Sequence, residues 1–248
     1  MKLPYSTKKW EKELKAAQAY DGIISTLNNI TMLGNAYDDR EKGRLPAVED
    51  EATLLFLMGN EYRQLADYEY LMNNDSRKSL AYLIKYIELG IKAYSLYQQG
   101  EMIKNNAVKN SLSHEEFLNE LAFTAVAAGK YETVSGFMKG TVIDALYNGC
   151  LDEARDRVSA YTCPTDEGRE VYYRDMCFLK NAVIALTDRD TETFSHELES
   201  RIRKYRKNMV GYSTIIDTVS AALIKLAEKA GVKVHIDVIE IPALLMTV

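Results

Sequence analysis

The segment 125–193 carries the three junctions that decide the fold: AVAAGKYETV at 125–134, ALYNGCLDEA at 145–154 and IALTDRDTET at 184–193. In each of them an apolar helix end is followed by glycine or aspartate, and a new helix begins at once. Junctions this short connect antiparallel helical hairpins. The distance between junctions is not constant, so the sequence predicts stacked hairpins without a true repeat.

Helical periodicity extends over most of the remaining chain. With only 4 prolines and 13 glycines in 248 residues, the chain has too few turn residues for an all-β protein of this length. The pattern predicts a first helix over Thr7–Met32, a polar loop over Gly34–Pro46, and further helices after Pro46 and after Asp75. A capping box, Ser113-x-x-Glu116, predicts another helix start.

The run VKVHIDVIEIP at 232–242 is the one segment that alternates like a β-strand. A lone strand is not stable, so it either pairs with another segment or lies extended along the helices. We therefore expect an all-α fold, an antiparallel bundle of helical hairpins with about nine to ten helices and a short C-terminal β-strand element. The expected organisation is one domain over 1–248, with packed halves 1–100 and 112–248 as the alternative.

The charge is unevenly distributed. The chain has a net charge of −5, and residues 101–200 hold 18 acidic and 10 basic side chains, a net −8. A nucleic-acid-binding protein usually has a dominant basic face, whereas here the single basic run is RIRKYRKN at 201–208. We predict no nucleic-acid binding, and the acidic middle favours a basic partner or simply solubility.

The cysteines and the apolar segments indicate the cellular compartment in which the protein is expected. Cys150, Cys163 and Cys177 are odd in number and match no zinc spacing, so we expect free, mostly buried thiols in a reducing compartment. The N-terminal residues lack the apolar core of a secretory signal, and no apolar run is long enough to span a bilayer. The sequence predicts a cytoplasmic protein that does not contact a membrane.

No catalytic signature is present. Phosphate-binding, dinucleotide-binding, metalloprotease and nucleophile-elbow motifs are all missing from the sequence. The histidines, His114, His196 and His235, have no partner at ligand spacing. Glu116 and Glu120 lie one turn apart but belong to no Glu-x-x-His motif. We predict no enzyme activity, no cofactor and no metal; a carboxylate-based metal enzyme is the last-ranked alternative.

Acidic residues at helix starts and among tyrosines are the candidates for a partner-binding surface. Negative charge at a helix start also interacts favourably with the helix dipole, so solvated helix faces are the simpler interpretation. Tyrosine, with 17 copies against one tryptophan, suits both helix packing and binding surfaces. The candidates are Glu49, Asp50 and Glu51 at one start, Asp152, Glu153 and Asp156 at another, and Glu61, Asp67 and Glu69 among Tyr62, Tyr68 and Tyr70.

The C-terminal segments VYYRDMCFLKNAVIALTDRDTETFSHEL at 171–198 and IIDTVSAALIKLAEKAGVKVHIDVIEIPALLM at 215–246 resemble the immunity protein 49 family of bacterial polymorphic toxin systems. Members of that family are mostly α-helical and end in a helix, a glycine, an extended run and a Leu/Ile-Pro-Leu pattern. The first half of the chain shares only helical character and length. The residues that carry the resemblance are Asp217, Ala221, Leu223, Leu226, Ala227, Gly231, Val234, Ile241, Pro242 and Leu245.

The resemblance implies a cytoplasmic protein that binds a cognate toxin domain tightly and occludes its active site without catalysis. If the toxin is a nuclease, its cleft is basic, and an acidic helical surface would mimic phosphate and speed association. The alternative is a tetratricopeptide-like helical adaptor or regulator that binds a peptide or protein partner. Neither interpretation indicates an oligomeric state.

Overall fold

The computed structural model describes residues 12, 22–43, 50–163, 170–208, 215–234, 238, 240–242 and 245. These residues form eleven α-helices and one 3₁₀ helix, which confirms the all-α prediction. The helices are α1 (Gly22–Glu41), α2 (Glu51–Leu71), α3 (Ser76–Gln98), α4 (Asn106–Ser113), α5 (Glu115–Ala127), α6 (Ser135–Met138), α7 (Val142–Tyr147), α8 (Leu151–Ser159), α9 (Glu170–Thr187), α10 (Thr191–Asn208) and α11 (Thr218–Lys229), with the 3₁₀ helix (Tyr131–Thr133) between α5 and α6.

The predicted number of about nine to ten helices was lower than the eleven in the described residues, because very short helices show no periodic apolar pattern. The helices α6 and α7 are four and six residues long, less than two turns, so no apolar stripe can be seen in them. The predicted capping box is also wrong. Ser113 ends α4, where its hydroxyl donates to the carbonyl of Asn110 at 2.7 Å, and His114 precedes α5 without a side-chain cap.

The helices α2 and α3 form a long antiparallel hairpin that is the centre of the N-terminal part. The helix α1 packs against α2, and α5 packs against both α3 and α11. The contact between α3 and α5 is very close at Gly90, because a Cβ atom there would lie 2.7 Å from Cδ2 of the buried Leu121. One hydrophobic cluster extends from Leu33 in α1 to Leu245 near the C-terminus.

Short junctions join the later helices as the sequence predicts. At the end of α7, Gly149 has φ +74°, and the backbone N–H of Cys150 donates to the carbonyl of Ala145 at 2.8 Å. At the end of α9, Arg189 takes the same left-handed conformation with φ +56°. This pattern ends a helix and turns the chain sharply. As a result α8 packs against both α7 and α9, and α9 packs against α10.

A buried ion pair on α2 holds a distant part of the backbone. The Arg63 Nη1 atom donates to Oδ1 of Asp67 at 2.8 Å, and both side chains are buried. Asp67 also accepts the backbone N–H groups of Ile215 and Ile216 at 2.8 and 3.0 Å. Arg63 Nη2 donates to the carbonyl of Ile216 at 2.7 Å. We call these four residues the α2 clamp; it fixes the chain that leads into α11.

Asp217, the residue that follows the α2 clamp in the chain, connects three further parts of the fold. Asp217 is 1% exposed and caps α11, since its carboxylate accepts the N–H of Ser220 at 3.1 Å and the hydroxyl at 2.6 Å. Its backbone N–H donates to the carbonyl of Glu240 at 2.8 Å. Arg201 of α10 lies 3.3 Å from its Oδ2 atom. The clamp and this cap together join α2, α10, α11 and the C-terminal segment.

The predicted C-terminal β-strand is wrong for the residues that the structure describes. None of 232–234, 238 and 240–242 belongs to a strand. Val232, Val238 and Ile241 are instead buried in the helical core, and Ile241 N–H donates to the carbonyl of Val238 at 3.2 Å. The apolar content that suggests a strand therefore serves to cover the helices.

The predicted loop over Gly34–Pro46 is also helical in its first part, because α1 continues to Glu41. Its polar side chains contact the neighbouring helix and the segment after α3. Tyr37 donates to Glu51 at 3.3 Å, and Arg40 Nη2 lies 3.9 Å from Glu101. These tertiary partners, which lie far along the chain, stabilise a helix that the local sequence does not favour. The predicted start at Thr7 lies outside the described residues.

The prediction of three free thiols is wrong for two of them. Cys163 and Cys177 form a disulfide, with Cα atoms 5.5 Å apart as such a bond requires. Cys150 is a free and exposed thiol. No helix in the described ranges combines the length and the apolar character that crossing a bilayer requires.

Replacing Asp67 with alanine should strongly destabilise the fold. It leaves the Arg63 guanidinium buried without its carboxylate and removes the acceptor of two backbone N–H groups, a loss of about 3–5 kcal/mol in the free energy of unfolding. Urea unfolding followed by circular dichroism measures this change. Glu88→Ala, which removes the exposed Lys85–Glu88 pair (2.9 Å), is the control and should change stability by less than about 1 kcal/mol. Equal effects of the two substitutions would contradict the role of the clamp.

Candidate functional site

The acidic start of α2 is a structural cap. Glu49 lies outside the described residues. Asp50 is 4% exposed and accepts the N–H of Thr53 at 2.8 Å, its hydroxyl at 2.9 Å, and the N–H of Lys104 at 2.9 Å. Burial acts to raise the pKa of Asp50, but the N–H groups of Lys104 and Thr53 outweigh it and hold the pKa below its ordinary value. The carboxylate of Asp50, a predicted partner-binding residue, is therefore buried and hydrogen-bonded within the fold.

Glu51 and Glu61 connect α2 to α1. Glu51 is half-buried, accepts the hydroxyl of Tyr37 and lies 4.0 Å from Nε of Arg40. Glu61 is also half-buried and accepts Nδ2 of Asn29 at 2.9 Å. Both carboxylates already have partners within the fold, so they contribute little free charge to a surface.

Asp67 and Glu69, which the sequence analysis predicts as partner-binding residues, are buried. Asp67 is fully buried in the α2 clamp. Burial raises its pKa, while the Arg63 guanidinium and two backbone N–H groups act in the opposite direction. Glu69 is 7% exposed and accepts Nδ2 of Asn73 at 2.8 Å and Nζ of Lys78 at 3.2 Å. These carboxylates fix α2 and its C-terminal turn.

The acidic start of α8 does face solvent. Asp152, Glu153 and Asp156 are all exposed. Glu153 forms an ion pair with Arg157, whereas Asp152 and Asp156 form none with any residue that the structure describes. Two neighbouring contacts hold the helix in place: Arg157 donates to the carbonyl of Gly140 at the α6–α7 turn, and Arg155 pairs with Asp188 at the end of α9. The result is a fixed, negatively charged surface.

A cavity that the sequence does not indicate lies between α2, α3 and α5. It has a volume of about 460 Å³. The helix α2 contributes one face, on which Phe56, Asn60 and Arg63 lie a turn apart, while Tyr86 comes from α3. Glu116 and Glu120 come from α5 and are exposed, and His114 lies at the α4–α5 junction.

The deep end of the cavity is connected to the α2 clamp. Arg63 lines the cavity and forms the ion pair with Asp67. Tyr86 is 2% exposed and donates its hydroxyl to Glu120. Burial raises the pKa of Tyr86 well above its ordinary value and the Glu120 carboxylate adds to this, while Arg63 opposes it. The hydroxyl is thus a fixed hydrogen-bond donor at neutral pH.

The side of the cavity is aromatic and its rim is acidic. The rings of Phe56 and Phe117 lie with centroids 5.3 Å apart. Asp67 balances the charge of Arg63, and Glu116 and Glu120 contribute two carboxylates to the lining. The sequence places these two glutamates one turn apart, but only the packing of α5 on α3 and of α4 on α2 and α5 brings them to the face with Phe56 and Arg63.

The described residues contain no group of three or more histidine, cysteine, aspartate or glutamate side chains able to hold a metal ion. Comparison with known proteins finds no match: no family model, curated protein or solved structure is similar to this chain. The similarity of the C-terminal segments to the immunity protein 49 family therefore stays a prediction.

The pKa of Asp50 predicts how one part of the stability depends on pH. A carboxyl whose pKa is lowered by folding contributes stability above its unfolded pKa of about 4, and this contribution is lost as the pH falls through the folded pKa. Asp50→Asn replaces one accepting oxygen by an NH₂ group, and should cost about 1–2 kcal/mol at pH 7. We expect the difference from the native chain to shrink below about pH 4.

Urea unfolding at several pH values checks this expectation. Glu228→Gln, at an exposed position of α11, is the control and should follow the native pH dependence. A constant difference between Asp50→Asn and the native chain at every pH would show that the carboxylate charge does not stabilise α2.

Proposed function

We propose that this chain is a non-catalytic immunity protein that binds a cognate bacterial toxin domain and occludes its active site. The exposed acidic start of α8 is the observation that carries this proposal. Asp152 and Asp156 present charges that no described residue neutralises, on a helix held by contacts to its neighbours on both sides. The similarity to the immunity protein 49 family supplies the toxin as partner.

The chemistry of this surface favours a basic toxin domain such as a nuclease. A nuclease cleft is positively charged because it binds phosphates, and carboxylates on a rigid helix can occupy the phosphate positions. A helix that its neighbours already hold in place loses little backbone entropy on binding, which favours slow dissociation. Complementary charge also speeds association. Both properties suit a protein that must neutralise a toxin before it acts.

The second candidate is a tetratricopeptide-like adaptor or regulator. The consecutive packing of α7, α8, α9 and α10 as short hairpins favours it, since stacked hairpins form the grooves in which such proteins bind peptides. An adaptor would bind several partners with fast exchange. An immunity protein would bind one partner, with very slow dissociation.

We place the function in the cytoplasm, as the family resemblance implies. The Cys163–Cys177 disulfide is the observation against this compartment, because disulfides rarely persist in reducing surroundings. Cys150 has no such partner.

Reversing the charge of the α8 surface should slow toxin binding. The triple variant Asp152→Lys, Glu153→Lys, Asp156→Lys is compared with the native chain after co-expression with the C-terminal toxin domain encoded by the adjacent open reading frame. We expect the native chain to form a one-to-one complex in size exclusion and to rescue growth. The triple variant should associate at least about tenfold more slowly at low salt.

The control variant has the same net charge as the triple variant, but its three lysines lie outside the α8 surface. It carries Glu88→Lys, Glu192→Lys and Glu228→Lys, three exposed positions on α3, α10 and α11; Glu192, like Asp152 and Glu153, lies in the first turn of its helix. It should associate like the native chain. Absence of a complex with the native chain, or equal slowing in both variants, would contradict the proposal.

A further inference from the structure

We propose that two copies of this chain associate through one exposed side of α1, and that each copy presents the same side to the other. We call this side the α1 face; it consists of Ile24, Leu27, Asn28, Thr31, Met32 and Asn35. The six positions follow one another at the spacing i, i+3, i+4, i+7, i+8 and i+11, so they lie on one side of the helix. The inference is independent of the proposed function, since it concerns the chain by itself.

The α1 face concentrates the large apolar side chains that the described residues expose. Ile24, Leu27 and Met32 are 65%, 48% and 62% exposed, and only Met102 and Phe137, on two other segments, are exposed as well. Single exposed apolar residues are common, whereas several on one helix face are typical of a surface that contacts a partner. The fold itself leaves this face uncovered.

The opposite side of α1 holds the helix against the rest of the molecule. Thr26 and Leu33 are buried there, and the hydroxyl of Thr26 donates to Oε1 of Gln64 in α2 at 3.2 Å. The helix therefore packs against α2 with one side and presents the α1 face outward. A contact through this face needs no rearrangement of the fold.

Charge is absent from most of α1. Residues 22–37 contain no aspartate, glutamate, lysine or arginine, although these residues make up 27% of the chain, and no other uncharged run exceeds nine residues. Burial explains such a run in α5, where residues 121–127 are all buried. It does not explain the run in α1, because the α1 face is exposed. Depletion of charged residues is instead characteristic of the centre of a protein–protein interface.

The absence of charge favours a second copy of the chain over a charged partner. The chain has a net charge of −5, so an uncharged face is where repulsion between two copies is smallest. In a two-fold symmetric contact, residues near the axis face their own equivalents, and a charged residue there would meet a like charge. Asn28 and Asn35 avoid this conflict, because a side-chain amide both donates and accepts hydrogen bonds. A strongly charged partner gains no electrostatic attraction from this face.

The size of the face determines how tightly the two copies should associate. The helix α1 has 20 residues, so it is about 30 Å long, and a helix with its side chains is about 10 Å wide. One side of such a helix is smaller than the about 800 Å² per partner of a standard stable interface. We therefore expect a reversible dimer that dissociates in the micromolar range.

Sedimentation velocity of the full-length chain tests the association. We expect a monomer at about 1 µM and a dimer at about 200 µM. The variant with Ile24→Glu and Met32→Glu places like charges on the α1 face at two mostly exposed positions, so the fold should be kept, and its dissociation constant should rise at least about tenfold. The control with Met102→Glu and Ala107→Glu adds the same charge at exposed positions outside α1 and should associate like the native chain.

A charge-swap experiment tests whether the two copies meet through the same face. The variant with Ile24→Lys and Met32→Lys should also fail to associate with itself at about 200 µM. Mixed with the glutamate variant, it should form a mixed dimer, because opposite charges then lie across the contact. Thermal unfolding of every variant checks that the fold is kept.

Three results would each overturn the inference. The first is a native chain that stays monomeric at high concentration; a lower unfolding temperature of the glutamate variant would then show that another segment of the same chain covers the α1 face. The second is an equal loss of association in the Met102 and Ala107 control. The third is a mixture of the glutamate and lysine variants that stays monomeric, since the substituted positions would then not face each other.

Discussion

The buried pair of Arg63 and Asp67 is the constraint on which the rest of the structure depends. It satisfies the backbone N–H groups of Ile215 and Ile216 and the carbonyl of Ile216, which are buried just before the start of α11. Buried ion pairs add little net stability compared with apolar side chains, but breaking one leaves an uncompensated charge, so they select one arrangement of the chain. Here the selected arrangement fixes the start of α11. The cap at Asp217 then extends the same network to α10 and to the C-terminal segment.

The clamp also determines the electrostatics of the cavity beside it. Arg63 lines the cavity, and its charge is balanced by Asp67 from within the fold. The close approach of α3 and α5 at Gly90 places Tyr86 near Glu120 one turn away. The clamp and the cavity lining thus share one side chain, Arg63. The α8 surface is independent of both, since its position follows from the short junctions around it.

The sequence predicts those features of the fold that are determined by residues close together in the chain. The ends of α7 and α9 follow from Gly149 and from the Asp-Arg-Asp turn, and the exposed acids of α8 follow from a helix start with few apolar residues. The burial of two other acidic candidates could not be predicted because their partners lie far along the chain: Asp50 accepts from Lys104, and Asp67 accepts from Ile215. Partners distant in the sequence also explain two other differences from the prediction. The polar half of α1 is helical because it contacts α2, and the apolar residues of the C-terminal run cover helices.

Native-state hydrogen exchange at the amides of Ile215 and Ile216 tests the central claim most directly. If the α2 clamp holds this segment, both amides should exchange only through global unfolding, with the same free energy as the core amides of Leu121 and Leu223. The amide of exposed Met102 provides the reference for a segment outside the helices. Exchange of Ile215 and Ile216 at rates close to that of Met102 would contradict the account, because the carboxylate of Asp67 would then not hold the backbone that leads into α11.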